Sequence, residues 1–168
     1  VANQGGVYCA PYTHNCGDYG VQDHLYLNDG TARFTDATYR LPRDADFGTA
    51  LALGDVDQDG DLDLLIGNEG QKSIYGQTDH LYLNDGTGTF TDATATRMPA
   101  AINFSTYGLA LGDVDGDGDL DLALLGSTGT YAPHSRLYLN SGTGTFTDAT
   151  ATRMPVGNFS ATSLVFGD

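Results

Sequence analysis

The chain has 168 residues, with 22 acidic against 7 basic side chains, a formal net charge of −15 and 23 glycines. So acidic a balance excludes nucleic acid and anionic membrane as partners, because both are held through clustered lysine and arginine. No apolar run approaches the roughly 18 residues that span a bilayer, and glycine with ten tyrosines and a single lysine favours strands and turns over helices.

Val1–Gly6 (VANQGG) reads as the tail of a segment that returns later as LLIGNEGQ, so the chain opens part-way through a repeat. Without an initiator methionine or a signal stretch, it is expected to be a processed or excised product. Cys9 and Cys16, in CAPYTHNC, can close a small disulfide in an oxidising compartment, free thiols being the alternative.

His24–Gly30 (HLYLNDG) and the following Arg33–Thr38 place alternating apolar residues on both sides of Asn-Asp-Gly, which specifies a β-hairpin. The hairpin recurs at Leu81–Gly86 with Thr89–Asp92, and at Leu137–Gly142 with Thr145–Asp148; Leu25, Leu81 and Leu137 stand 56 residues apart. A fixed period of this size signals a solenoid, a propeller or an array.

Between hairpins lies Gly54–Gly67, GDVDQDGDLDLLIG, repeated as Gly112–Gly126, GDVDGDGDLDLALLG. Asp55, Asp57, Asp59 and Asp63 offer side-chain ligands, with the Asp61 main-chain carbonyl between them; Asp113, Asp115, Asp117 and Asp121, with the Asp119 carbonyl, do the same in the second copy. Without a cation, each carboxylate pair about 4 Å apart would repel by roughly 4 kcal/mol, and three in one loop by roughly 10 kcal/mol. An all-oxygen, flexible donor set suits calcium better than magnesium, and the absence of Cys and His from the loops disfavours soft metals. An EF-hand would need flanking helices and a bidentate Glu at position 12, whereas that position holds Ile66 or Leu124.

One unit then holds four strands. Gly48–Asp55 leads into the aspartate loop, Leu62–Gly67 leaves it, and the hairpin supplies two more. Four antiparallel strands in such a repeat are the size of a propeller blade. The expected organisation is all-β: residues 1–44 a partial blade lacking its first strand and cation loop, 45–102 and 103–158 two full blades, and 159–168 the first strand of another, stopping at Asp168, the first ligand position of a third loop. ATRMPAAIN (95–103) and ATRMPVGN (151–158) read as linkers.

Phe47-Gly48 followed by the aspartate loop and LYLNDG resembles the FG-GAP, or VCBS-type, repeats of calcium-binding β-propellers, among them the blades of the integrin α head. The resemblance implies that the loop joins the first two strands of a blade and binds calcium, giving two sites per chain. Tyr107 stands for the Phe of the second unit, and Phe159-Ser160 replaces Phe-Gly. Family propellers close with more blades than this chain holds, so other copies or the rest of a longer propeller are the expected partners, with the strand Ser160–Gly167 added to a neighbour's N-terminal blade.

Catalysis has little support. His24 and His80 occupy the same repeat position, where the third unit has Arg136; His14 and His134 complete the histidines, and structural roles are expected for them. Asn103-Phe104-Ser105 and Asn158-Phe159-Ser160 match the N-glycosylation pattern. Tyr26, Tyr82 and Tyr138 are expected to pack between blades. The resulting expectation is a secreted, non-enzymatic module for adhesion or self-assembly into a fibre or ring; the alternative is an accessory propeller of a secreted polysaccharide-acting enzyme.

Overall fold

The computed structural model describes residues 2–3, 22–71, 74–75, 77–100, 104–128, 132–155 and 163–166. Cys9, Cys16, His14, Asn103, Asn158 and Asp168 lie outside the described residues, and with them the disulfide, the two glycosylation sites and the start of a third loop.

The chain is all-β, built of antiparallel sheets of the propeller-blade kind. In the first sheet β1 (Ala2–Asn3) pairs with β2 (His24–Asn28), which pairs with β3 (Phe34–Asp36). The second sheet has the order β4 (Gly48–Gly54), β5 (Asp63–Asn68), β8 (His80–Asn84) and β9 (Phe90–Asp92), with the small hairpin β6 (Gly70–Gln71) and β7 (Ile74–Tyr75) on its β5–β8 connection. The third runs β10 (Phe104–Gly112), β11 (Asp121–Thr128), β12 (Ala132–Asn140) and β13 (Phe146–Asp148).

Side-chain alternation along β5 explains how the sheets stack. Leu64 and Ile66 point to one face and join Leu25, Ala37, Leu41 and Tyr82 in a core shared with the first sheet. Leu65 points to the other and joins Leu81, Phe104, Leu122, Leu124 and Tyr138 in a core shared with the third. Period-two geometry makes a strand that is apolar throughout an inner strand, buried on both sides. Each such leucine contributes roughly 1.5–3 kcal/mol of transfer free energy. Close approach of neighbouring sheets depends on glycine: a Cβ added to Gly54 would lie 2.6 Å from Leu111 Cδ1, and one added to Gly112 would lie 2.6 Å from Phe166 Cδ2. Tyr82 and Tyr138 are buried as blade-packing residues.

Two expectations need correction. Tyr107 does not take the place of the Phe in the second unit: β10 reaches back to Phe104, whose ring is buried, while Tyr107 is 42% exposed. The ladder register shifts between Thr106 and Gly108, so Tyr107 is the bulged residue and its hydroxyl meets Ser127 Oγ at 2.7 Å. The segments read as linkers also begin with order. Helices α1 (Thr94–Arg97) and α2 (Thr150–Arg153), and a 3-10 turn at Thr38–Arg40, follow the hairpins. Asp36, Asp92 and Asp148 accept the N–H of Thr38, Thr94 and Thr150, and the Thr94 hydroxyl accepts the Leu81 N–H at 3.0 Å. These bonds start each turn in place of a side-chain cap on the preceding alanine.

Candidate metal centre

Each aspartate loop connects the first two strands of a sheet and is shaped by its own carboxylates. Asp55 accepts the N–H groups of Asp59 and Gly60, at 3.1 and 3.0 Å, and Asp59 accepts that of Asp61 at 2.9 Å. The turn passes through Gly60 at φ +96°, where a β-carbon would be strained. Asp63 opens β5 and clamps the loop's base, its two oxygens each accepting at 3.0 Å, one from Val56 N–H and the other from Asn84 N–H in the third strand. The second loop repeats these bonds and adds one, from Gly116. Asp113 accepts from Gly116, Asp117 and Gly118, Asp117 from Asp119, and Asp121 from Val114 and Asn140.

The result is two groups of carboxylates, Asp55 with Asp57 and Asp63, and Asp113 with Asp115 and Asp121, each offering oxygen atoms that all lie within 4.8 Å of one another. Asp59 and Asp117, expected as further ligands, are not part of these groups. Asp61 and Asp119 also turn their carboxylates elsewhere, onto the hairpins at Gly86 and Gly142, where an added Cβ would lie 2.6 and 2.7 Å from them. Only their main-chain carbonyls are expected at the ion.

Electrostatics fits a cation. Burial first, then the charge of Asp59, pushes the Asp57 carboxyl above its ordinary value. Burial also raises Asp63 against the pull of its two backbone N–H bonds, and Asp115 and Asp119 are raised by desolvation and by neighbouring loop aspartates. Groups held this way bind a proton or a cation more readily than free carboxylates. Asp57 Oδ1, moreover, is buried with no hydrogen-bond partner among the described residues, a lone pair that a metal ion would satisfy.

The first loop is also gripped from the next sheet. Asn140 donates its amide to the Val56 carbonyl at 2.7 Å, and Gln58 Nε2 reaches Asp119 Oδ1 at 2.6 Å. Arg97, at the end of α1, donates to the Thr143 carbonyl in the third sheet's hairpin and stands 3.5 Å from Asp57 Oδ2. Nothing local in the sequence marks Arg97 or Asn140 for these contacts.

A third group, Asp44, Asp46 and His80, also brings its ligand atoms within 4.8 Å. His80 Nε2 is bonded to Asp46 Oδ2 at 2.6 Å. Burial opposes the charged ring, but Asp46, Asp44 and Asp92 outweigh it and raise the His80 pKa. The pair ties the segment before β4 to the start of β8, a structural role of the kind expected for this histidine.

Residues 7–66 and 68–124 match the FG-GAP-like repeat family. The chain belongs to that family. Each matched FG-GAP segment takes the hairpin of one sheet together with the first strand, the aspartate loop and the start of the second strand of the next, so the family's repeat straddles the joint between sheets and both loops fall inside it. Among curated proteins no match to the chain is found. The donor sets fit a hard divalent cation: Asp55, Asp57 and Asp63, or Asp113, Asp115 and Asp121, would hold it, and once bound it would neutralise carboxylates that otherwise repel. No helix among the described residues is long and apolar enough to cross a membrane.

Proposed function

We propose that the chain is a non-catalytic, calcium-stabilised β-propeller module that works outside the cell in adhesion or in assembly with further blades. The observation that carries the reading is the pair of three-carboxylate groups at equivalent corners of two sheets. In each, one ligand is the residue that opens the second strand, so a bound ion fastens the loop to the sheet. Extracellular calcium is abundant enough to load modules of modest affinity, and the match to FG-GAP-like repeats supports a propeller module.

Assembly is proposed to use the blade faces. Phe166 seats against Gly112 as Leu111 seats against Gly54, which supports reading the segment 163–166 as the first strand of another blade. The groove beside it, lined by Leu137, Leu139 and Met154, would take the remainder of such a blade, from a second copy or from a longer chain.

The test is melting and sizing of the chain in millimolar calcium and in chelator, for the parent and for Asp57→Ala combined with Asp115→Ala. Calcium should raise the parent's melting temperature by several degrees and the double variant's by far less. A parent that melts equally in both conditions sinks the calcium reading, and a strictly monomeric parent at high concentration sinks self-assembly.

A further inference from the structure

Arg97 makes two contacts that belong to different sheets. Its Nη1 donates to the Thr143 carbonyl, across the joint, and lies 3.5 Å from Asp57 Oδ2 in the loop of its own sheet. The hairpin backbone closes over both partners, since a Cβ added to Gly144 would lie 3.1 Å from Arg97 Nη1 and 3.3 Å from Asp57 Cβ. With Oδ2 facing the guanidinium, the oxygen left over is Oδ1, the buried atom without a hydrogen-bond partner among the described residues.

The same position in the other sheets separates the two contacts. Arg40 Nη1 donates to the Thr87 carbonyl at 2.6 Å, so reaching across the joint to the next hairpin recurs. Arg153 holds the same position after the third sheet's hairpin, yet among the described residues it makes no ion pair with Asp115. Among the described residues, only Arg97 joins hairpin and ligand.

We propose that Arg97 is a positioning residue for the first cation site: it occupies one oxygen of Asp57, leaves the other for the metal, and makes the site depend on docking of the neighbouring sheet. The inference rests on the calcium reading above. A guanidinium beside a ligand also repels a dication, so the two effects have opposite signs and the sign of the mutational change decides between them. Outer partners that orient a ligand are typically worth ten- to a hundredfold in metal affinity.

The experiment is calorimetric titration of the full chain with calcium, the second loop being silenced by Asp113→Asn and Asp115→Asn. Arg97→Gln should weaken binding about tenfold or more, Arg97→Lys should recover part of the loss, and the calcium-induced rise in melting temperature should shrink more than the metal-free melting temperature falls. With the first loop silenced instead by Asp55→Asn and Asp57→Asn, Arg153→Gln should leave affinity unchanged. Unchanged or tighter binding in Arg97→Gln overturns the proposal, as does an equal fall in melting temperature with and without calcium. Absence of any calcium binding while Arg97 is intact overturns the calcium reading and this inference with it.

Discussion

The loops at 55–62 and 113–120 have nearly the same sequence and share all but one of their internal hydrogen bonds, but their surroundings differ. Val56 is fully buried and its carbonyl is held by Asn140, whereas Val114 is 38% exposed. Gln58 bonds to the second loop, and Arg97 ties Asp57 to the third sheet's hairpin. Ligand spacing is a local property and is copied with the repeat. How firmly the site is held is a property of the joint between blades, and the joint differs.

The largest expected effect tests the shared part of the two loops. Asp63 and Asp121 are both fully buried and each accepts two backbone N–H groups. Replacing Asp63 by alanine strands two donors, at about 1–3 kcal/mol each, so urea unfolding in chelator should show a loss of about 3–4 kcal/mol. Asp121→Ala should cost about 1 kcal/mol less, because water can reach the N–H of the more exposed Val114. Equal losses would mean that the covering sheet does not matter to the metal-free loop.

Much of this architecture was legible because its determinants are local. Asn-Asp-Gly turns, alternating strands and the 56-residue spacing fix the hairpins and the number of sheets, and the aspartate loops specify their own turns. What was not legible depends on packing across sheets. Asn140 reads as a hairpin residue until its amide is found on the Val56 carbonyl, 84 positions away. Asp44, Asp46 and His80 meet only because the segment before β4 crosses the start of β8. Tyr107 next to Gly108 imitates Phe47-Gly48, and only the ladder register reveals it as a bulge. The four-residue helices are too short for periodicity to register, although the Asp two residues ahead of each Thr was their signal.

The far end of the same joint offers a second contrast, with an effect of about 2–3 kcal/mol. Asp79 is buried, accepting from Asn68 N–H and from the Thr106 hydroxyl of the next sheet, both at 2.8 Å, and burial raises its pKa to about 6. Ser135 holds the equivalent place in the third sheet. Because the folded pKa lies above the ordinary carboxyl value of 3.8, the folded state favours the protonated acid. That contribution is fully present below about pH 4 and is lost as pH rises through about 6, amounting to about 3 kcal/mol at one pKa unit per 1.36 kcal/mol. Asp79→Asn keeps an acceptor for Asn68 and gives Thr106 a donor. The stability difference between variant and parent should therefore grow between pH 4 and 7 in the variant's favour. A parent and variant with parallel pH profiles would show that the joint carries no such acid.

The smallest expected difference isolates the covering contact itself. Asn140 and Asn84 are equivalent hairpin residues, but Asn140 donates to both Val56 and Leu120 carbonyls, at 2.7 and 3.1 Å, while Asn84, among the described residues, donates only to Leu62, at 3.2 Å in an exposed setting. Asn140→Ala leaves the buried Val56 carbonyl without its donor and should cost about 1–2 kcal/mol, against about 1 kcal/mol or less for Asn84→Ala. Val56 lies between Asp55 and Asp57, so the first change should also weaken calcium binding in the first loop. Asn84→Ala should leave the second loop's affinity untouched, since it contacts no part of residues 113–120. If both substitutions lower stability alike and neither changes calcium affinity, the hairpin only covers the loop, and the two sites differ in exposure without differing in how their ligands are held.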